Sequence, residues 1–256
     1  MQLHFKESGD AGKGRAIILL HGLLGSADNW HQVAQRLAQD FHVFAVDQRN
    51  HGQSPHTAEM DYALMAADLD EFMTAHGLTT ACVLGHSMGG KTAMQFALQF
   101  PGRVEKLIVA DMAPRAYEPS HEVMFGALLG LDLSKYQARQ EIEDALAPKI
   151  PNLVLRRFLL KNLGRDDAGK FTWRINLEGI WKNYPKLGEV ISADVPFSKP
   201  TLFIRGGRSD YIRTGDETLI HELFPQAQIQ TIAVAGHWIH ADHPAEFLRL
   251  VLDFLG

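Results

Sequence analysis

Six short apolar runs punctuate the chain, and each ends at or near a glycine or an aspartate. Ala16 to Leu20 ends at His21-Gly22, Val43 to Val46 at Asp47, and Ala81 to Leu84 at Gly85. Leu107 to Ala110 ends at Asp111, Thr201 to Ile204 runs into Gly206-Gly207, and Ile229 to Val234 ends at Ala235-Gly236. Runs this short, apolar on both faces and bounded by turn formers, predict buried parallel strands. Helical periodicity lies between them. Residues 29–39 place Trp30, Val33, Ala34 and Leu37 on one face, and residues 62–76 do the same with Leu64, Met65, Leu69, Phe72 and Met73. Residues 89–99, 217–224 and 244–255 complete the set. Strands alternating with helices predict right-handed crossovers and a mostly parallel sheet covered on both faces.

One stretch breaks the rhythm. Between Asp111 and Lys199 the short-strand signal disappears, helical patterns such as 123–133 and 137–146 replace it, and prolines stand at 114, 119, 148, 151, 185 and 196, with Pro200 directly after it. A connection of this length is too long for a plain loop. The expectation is a core domain of residues 1–111 and 199–256, with residues 112–198 inserted between two strands as a helical cap.

Composition narrows the class. The 256 residues are 46% hydrophobic and 21% charged, enough to bury a core and inconsistent with intrinsic disorder. With 25 Lys and Arg against 30 Asp and Glu, net charge is −5 and no polybasic run occurs, so nucleic acid is not an expected partner. No apolar stretch approaches the roughly 20 residues of a membrane span, and the N-terminus lacks the apolar core of a secretory signal. The single cysteine, Cys82, excludes an internal disulfide and fits a reducing compartment. A cytoplasmic protein is the expectation; the sequence leaves its oligomeric state open.

The candidate chemistry sits at the strand ends. Gly85-His86-Ser87-Met88-Gly89 is a G-x-S-x-G pentapeptide directly after a predicted strand and before a predicted helix. That sharp turn pushes a serine hydroxyl above the sheet, flanking glycines let backbone pass closely, and the helix start lies beside developing negative charge. Ser87 is the candidate nucleophile. The turn at His21-Gly22-Leu23-Leu24-Gly25 follows another strand, so the backbone N–H groups of Leu23 and Met88 are the candidate oxyanion donors. A serine needs a base, and His237, after Gly236 at a strand end, fits that role; His240 and His243 are nearby rivals. The group His237, His240, Asp242 and His243 also permits a metal reading, which the serine turn makes unnecessary; no metal and no cofactor are expected. Two aspartates end strands on the same edge, Asp210 and Asp111. Either could hold the imidazole in its tautomer, and Asp210 is preferred for its short loop.

Over essentially its whole length the chain resembles the α/β-hydrolases. More narrowly, Asp47-Gln-Arg-Asn-His-Gly-Gln-Ser54, Gly85-His-Ser-Met-Gly-Gly-Lys91, Asp111-Met-Ala-Pro114 and Gly236-His-Trp-Ile-His-Ala241 resemble the YbfF-type esterases. The resemblance implies an α/β-hydrolase fold with an eight-stranded sheet, a helical cap, and hydrolysis of short- to medium-chain acyl esters or acyl thioesters. It puts the acid at Asp210 in the broad family. Within the subgroup it puts the acid at Asp111 when the later position is not acidic; both are Asp here.

Met124, Phe125, Leu128, Leu129 and Trp238 are candidates for lining an acyl pocket, with a helix face packed on the core as the alternative. Asp47, Arg49 and His51 are expected to order the loop beside the oxyanion turn, and His86 to brace the serine turn. A serine carboxylesterase is the leading reading. A carbon–carbon bond hydrolase, perhydrolase or lyase on the same fold, and a non-enzymatic binding module, are the alternatives.

Overall fold

The computed structural model describes residues 1–10, 12 and 14–256. Its first half alternates strongly: β1 (Phe5–Ser8), β2 (Ala16–Leu20), α1 (His31–Leu37), β3 (His42–Val46), α2 (Tyr62–Ala75), β4 (Ala81–His86), α3 (Met88–Gln99) and β5 (Val104–Ala110). A helical excursion follows with α4 (Glu122–Leu129), α5 (Arg139–Leu146), α6 (Leu153–Leu160), the short strands β6 (Leu163–Arg165) and β7 (Phe171–Trp173), and α7 (Leu177–Leu187). The chain returns as β8 (Thr201–Gly206), α8 (Glu217–Leu223), β9 (Ala227–Ile232), α9 (Ile239–Asp242) and α10 (Pro244–Leu255).

The main sheet runs β1-β3-β2-β4-β5-β8-β9. All neighbours are parallel except β1, which pairs antiparallel with β3. All six apolar runs are strands of this sheet, although β9 ends at Ile232 and residues 233–234 turn away from it. The sheet has seven strands among the described residues, not the eight expected. Its antiparallel edge is the single strand β1, where Lys6 and Glu7 pair with Asp28 and His42 and so blunt the open side.

Period-two alternation divides the apolar residues into two cores. Ile18, Leu20, Phe44, Val46, Val83, Val109 and Phe203 face the side covered by α2 and α3. Ile17, Leu19, Val43, Ala45, Cys82, Leu84, Ile108 and Ile204 face the side covered by α1 and α10.

Chain order reverses between β2 and β4. β2 leads outward to β3 in one direction, while β4 leads to β5, β8 and β9 in the other. Ligands of open α/β sheets bind beyond the carboxyl ends of strands at such a reversal. Here those ends carry His21-Gly22 and Ser87.

The excursion leaves from β5 and returns at β8, two adjacent strands. Its two ends are stitched together by Tyr117 N–H to the Gly188 carbonyl (2.7 Å) and Ile191 N–H to the Pro114 carbonyl (2.7 Å). Lys91, fully buried on α3, donates its ammonium to the Glu189 carbonyl. Phe125, Leu128, Ile142 and Ile180 of the excursion continue the core on the α2–α3 side. The β6–β7 hairpin within it was not expected. Its three-residue strands are too short to form an apolar run, and a turn with Gly169 at φ 77° joins them.

Gly89 fixes how closely α3 approaches β2. A Cβ there would lie 2.3 Å from the Leu20 carbonyl oxygen and 2.6 Å from that of His21, both backbone atoms that cannot swing aside. Gly89→Ala is therefore expected to lower stability by roughly 1–3 kcal/mol and to displace the serine turn. Gly102→Ala, where a Cβ meets nothing within 4 Å, should be close to neutral. Denaturant midpoints check this; a wild-type midpoint for Gly89→Ala would contradict the close approach.

Candidate active site

Ser87 occupies the turn between β4 and α3 with φ 53° and ψ −118°. A non-glycine residue in that region carries strain, which the structure sustains by hydrogen-bonding Ser87 N–H to the Ala110 carbonyl (3.1 Å) and Lys91 N–H to the Ser87 carbonyl (3.1 Å). Met88 is the first residue of α3, where helix geometry leaves the N–H without an intrahelical acceptor. The expected oxyanion turn lies directly above: the Cβ position of Gly22 is 3.3 Å from the Ser87 Cβ.

That turn is held from both sides. His21 Nε2 accepts from Gln48 N–H (3.1 Å), and the Gln48 amide donates to the His21 carbonyl (2.7 Å). Leu24 N–H donates to His51 Nε2 (3.1 Å), Ala27 N–H donates to Asp47 (2.6 Å), and Leu24 takes φ 57°. From the excursion, the Asn162 amide donates to the Leu24 carbonyl (2.8 Å). Arg49 anchors the supporting loop through a buried two-pronged bond to Asp68 (2.6 and 2.8 Å). His51 and Asp47 thus bond to Leu24 and Ala27, in and just after the turn, and Arg49 orders the loop beside it, as the sequence reading expected.

His237 Nδ1 lies 2.7 Å from Asp111 Oδ2. The Asp111 carboxylate is fully buried and also accepts from Gly206 N–H (2.8 Å) and the Ser209 hydroxyl. A carboxylate only accepts, so it holds the imidazole proton on Nδ1 and leaves Nε2 as the free lone pair. Asp111 has φ 50°, a turn Asp tolerates better than most residues, which swings its side chain back across the end of β8.

Asp210, the preferred partner at the sequence level, does not reach the imidazole. Its side chain is exposed, and its carbonyl accepts from Arg115 (3.0 Å) and Arg213 (3.3 Å). The reason is local. Ser209 N–H closes a tight turn on the Gly206 carbonyl (3.1 Å), which aims Ser209 inward at Asp111 and the next residue outward.

Three further histidines crowd this edge. The His86 Nε2–H donates to the His237 carbonyl (2.9 Å), and the His86 ring centroid lies 4.7 Å from that of His237 and 4.6 Å from that of His240. On the excursion, His121 bonds to the Tyr184 hydroxyl, and its protonation is opposed first by burial and then by His237. No group of three metal-ligating side chains converges among the described residues.

Of the pocket candidates, Met124, Phe125 and Leu128 are buried, with Phe125 against Trp181 (5.0 Å) and Tyr184 (5.2 Å). Trp238 is half-buried and meets Phe158 of α6 at 5.9 Å. Leu129 is exposed. The sequence reading missed Ser209, Asn162 and Tyr211, whose ring stacks on His237 with centroids 3.8 Å apart. None of them belongs to a recognisable motif.

Comparison with known proteins bears on the fold and the family. The family described as alpha/beta hydrolase fold matches residues 15–244. The sn-1-specific diacylglycerol lipase ABHD11 of Mus musculus is 39% identical over 248 residues, covering 94% of this chain and 80% of its own. Esterase YbfF of Escherichia coli (strain K12) is 36% identical over 242 residues, covering 93% and 92%. Among solved structures, one described as a marine microorganism esterase superposes with a TM-score of 0.96 at 45% identity over 99% of both chains.

Buried histidines give this edge an acid sensitivity. Burial lowers the pKa of His21 and His86, and takes His51 and His240 down to about 3. Unfolded, each takes up a proton near pH ~6.5, so below that value the unfolded chain binds more protons than the folded one and stability falls. The loss begins as pH drops through ~6.5 and for His51 and His240 continues to about 3. The melting temperature should therefore decline steadily from about pH 6.5 to 5, above the range where carboxylates titrate. A flat melting temperature across that window would contradict neutral buried histidines.

Proposed function

Because the chain belongs to the α/β-hydrolase family, as an ester-bond hydrolase of the YbfF type, we propose that it is a serine carboxylesterase working through an acyl-enzyme on Ser87. Short- to medium-chain acyl esters, and acyl thioesters of like size, are the substrates. The observation that carries the reading is His237 held at 2.7 Å by the fully buried Asp111, whose strand ends next to the strand that carries the strained serine turn. In this reading His237 Nε2 takes the Ser87 proton as Oγ attacks the carbonyl carbon. Asp111 keeps the imidazole in its tautomer and stabilises the imidazolium, and the N–H groups of Leu23 and Met88 receive the oxyanion. The imidazolium then protonates the leaving alkoxide or thiolate. A water, deprotonated by the same Nε2, attacks the acyl-enzyme and releases the acid with Ser87 restored.

Residues 112–198 are the cap in this reading, and half-buried Trp238, against Phe158 of α6, flanks the acyl chain. Relatives support the substrate class: one is named a diacylglycerol lipase and others are named esterases. No helix among the described residues is long and apolar enough to cross a membrane. The single cysteine, buried Cys82 with its thiol pushed up to about 11 by burial, suits a reducing compartment and is the basis for placing the protein in the cytoplasm.

Ser87→Ala should lose on the order of 10⁶ in kcat on p-nitrophenyl butyrate and should no longer react with a fluorophosphonate, while circular dichroism stays native. p-Nitrophenyl acetate and butyrate should be turned over faster than the palmitate ester. Retained labelling of Ser87→Ala would overturn the nucleophile assignment.

The acid is separable by a paired substitution. Asp111→Asn should cost up to about 10⁴ in kcat, because the amide permits the wrong tautomer. Asp210→Asn should stay within a few-fold of wild type. The reverse pattern on one activated ester would restore Asp210 as the acid.

A further inference from the structure

We infer that Tyr211 is a positioning residue for the catalytic imidazole, setting the plane of His237 and favouring the imidazolium formed in each proton transfer. The inference rests on His237 being the base, as proposed above. The two rings lie face to face, with centroids 3.8 Å apart and planes 18° apart, the tightest and most parallel ring pair among the described residues. The Asp111 bond fixes one point of the imidazole and leaves it able to pivot about the Nδ1···Oδ2 line. A ring lying flat against it removes that freedom and so fixes where Nε2 points.

Tyr211 is itself immobilised. Its N–H donates to the Ser209 hydroxyl (3.3 Å), whose own proton goes to Asp111. Its carbonyl accepts from the Tyr117 hydroxyl, which also accepts from Ala113 N–H (2.8 Å). The Tyr117 ring is in turn held by two cations, the Arg115 guanidinium at 3.9 Å and the Lys91 ammonium at 4.9 Å. One carboxylate therefore holds the imidazole at Nδ1 and, through Ser209, the backbone of the residue that flattens it.

The electrostatics points the same way. Aromatic faces attract cations lying within about 6 Å of the ring centroid, and in the proposed mechanism His237 carries a positive charge between taking the Ser87 proton and passing it on. An interaction that strengthens on charging acts on the transition state more than on substrate binding, so it should appear in kcat and not in KM.

Tyr211→Phe keeps the π face; Tyr211→Leu and Tyr211→Met keep apolar cover but remove it. With p-nitrophenyl butyrate, Phe should stay within about twofold of wild type. Leu and Met should lose about three- to thirtyfold in kcat with KM nearly unchanged, and fluorophosphonate labelling should slow in parallel. Melting temperatures identify any variant that fails to fold, and either of Leu or Met suffices. Wild-type kcat in a folded Leu or Met variant, a loss confined to KM, or an equal loss in Phe would overturn the inference. His237→Ala in the same assay separates the two readings. If it remains active the base assignment fails; if it is dead while Leu and Met are normal, only the role of Tyr211 fails.

Discussion

A single buried carboxylate organises the carboxyl-end edge of the sheet. Asp111 is wholly removed from solvent, and its charge is tolerable there only because three donors converge on it: the Gly206 N–H, the Ser209 hydroxyl and the His237 imidazole. Those donors come from the end of β8, the loop after it and the loop after β9. Satisfying one charge therefore fixes three chain segments with respect to β5. The left-handed turn at Asp111 is what aims the carboxylate across the sheet, and its N–H still bonds to the Ile204 carbonyl (2.8 Å) so that pairing continues to the last residue.

The other half of the edge depends on sheet topology. Because the strand order reverses between β2 and β4, the turn after β2 and the serine turn after β4 rise side by side. Gly89 sets their separation. The β2 turn is held in shape from outside by Gln48, His51, Asp47 and Asn162. Asn162 belongs to the helical excursion, so that segment also helps to hold the turn after β2. Lys91 makes the reciprocal connection. Burial brings its pKa down to about 7, and its ammonium reaches the Glu189 carbonyl just after α7, on the returning arm of the excursion.

Much of this was legible in the sequence because strand ends speak clearly. The apolar runs, with their terminal Gly and Asp residues, identified six strands and the doubly covered sheet, and the serine pentapeptide marked the turn between β4 and α3. The edge strand β1 escaped because its Lys and Glu hide the strand period, and the β6–β7 hairpin because three residues make no pattern. The carboxylate that meets His237 was misjudged for a subtler reason. Both aspartates follow strands, and which of them turns inward depends on a one-residue phase in the loop after β8, set by the Ser209–Gly206 turn. Nothing in composition or spacing encodes that phase. Tyr211 escaped likewise, since its value lies in a ring contact between two loops far apart in the chain.

The most direct test of this account is proton NMR of the imidazole itself. An Nδ1 proton held between His237 and a buried carboxylate should resonate far downfield, exchange slowly with water and be absent from His237→Asn. The account predicts that this signal persists in Asp210→Asn and disappears or moves sharply upfield in Asp111→Asn. A signal that survives in Asp111→Asn and is lost in Asp210→Asn would contradict it.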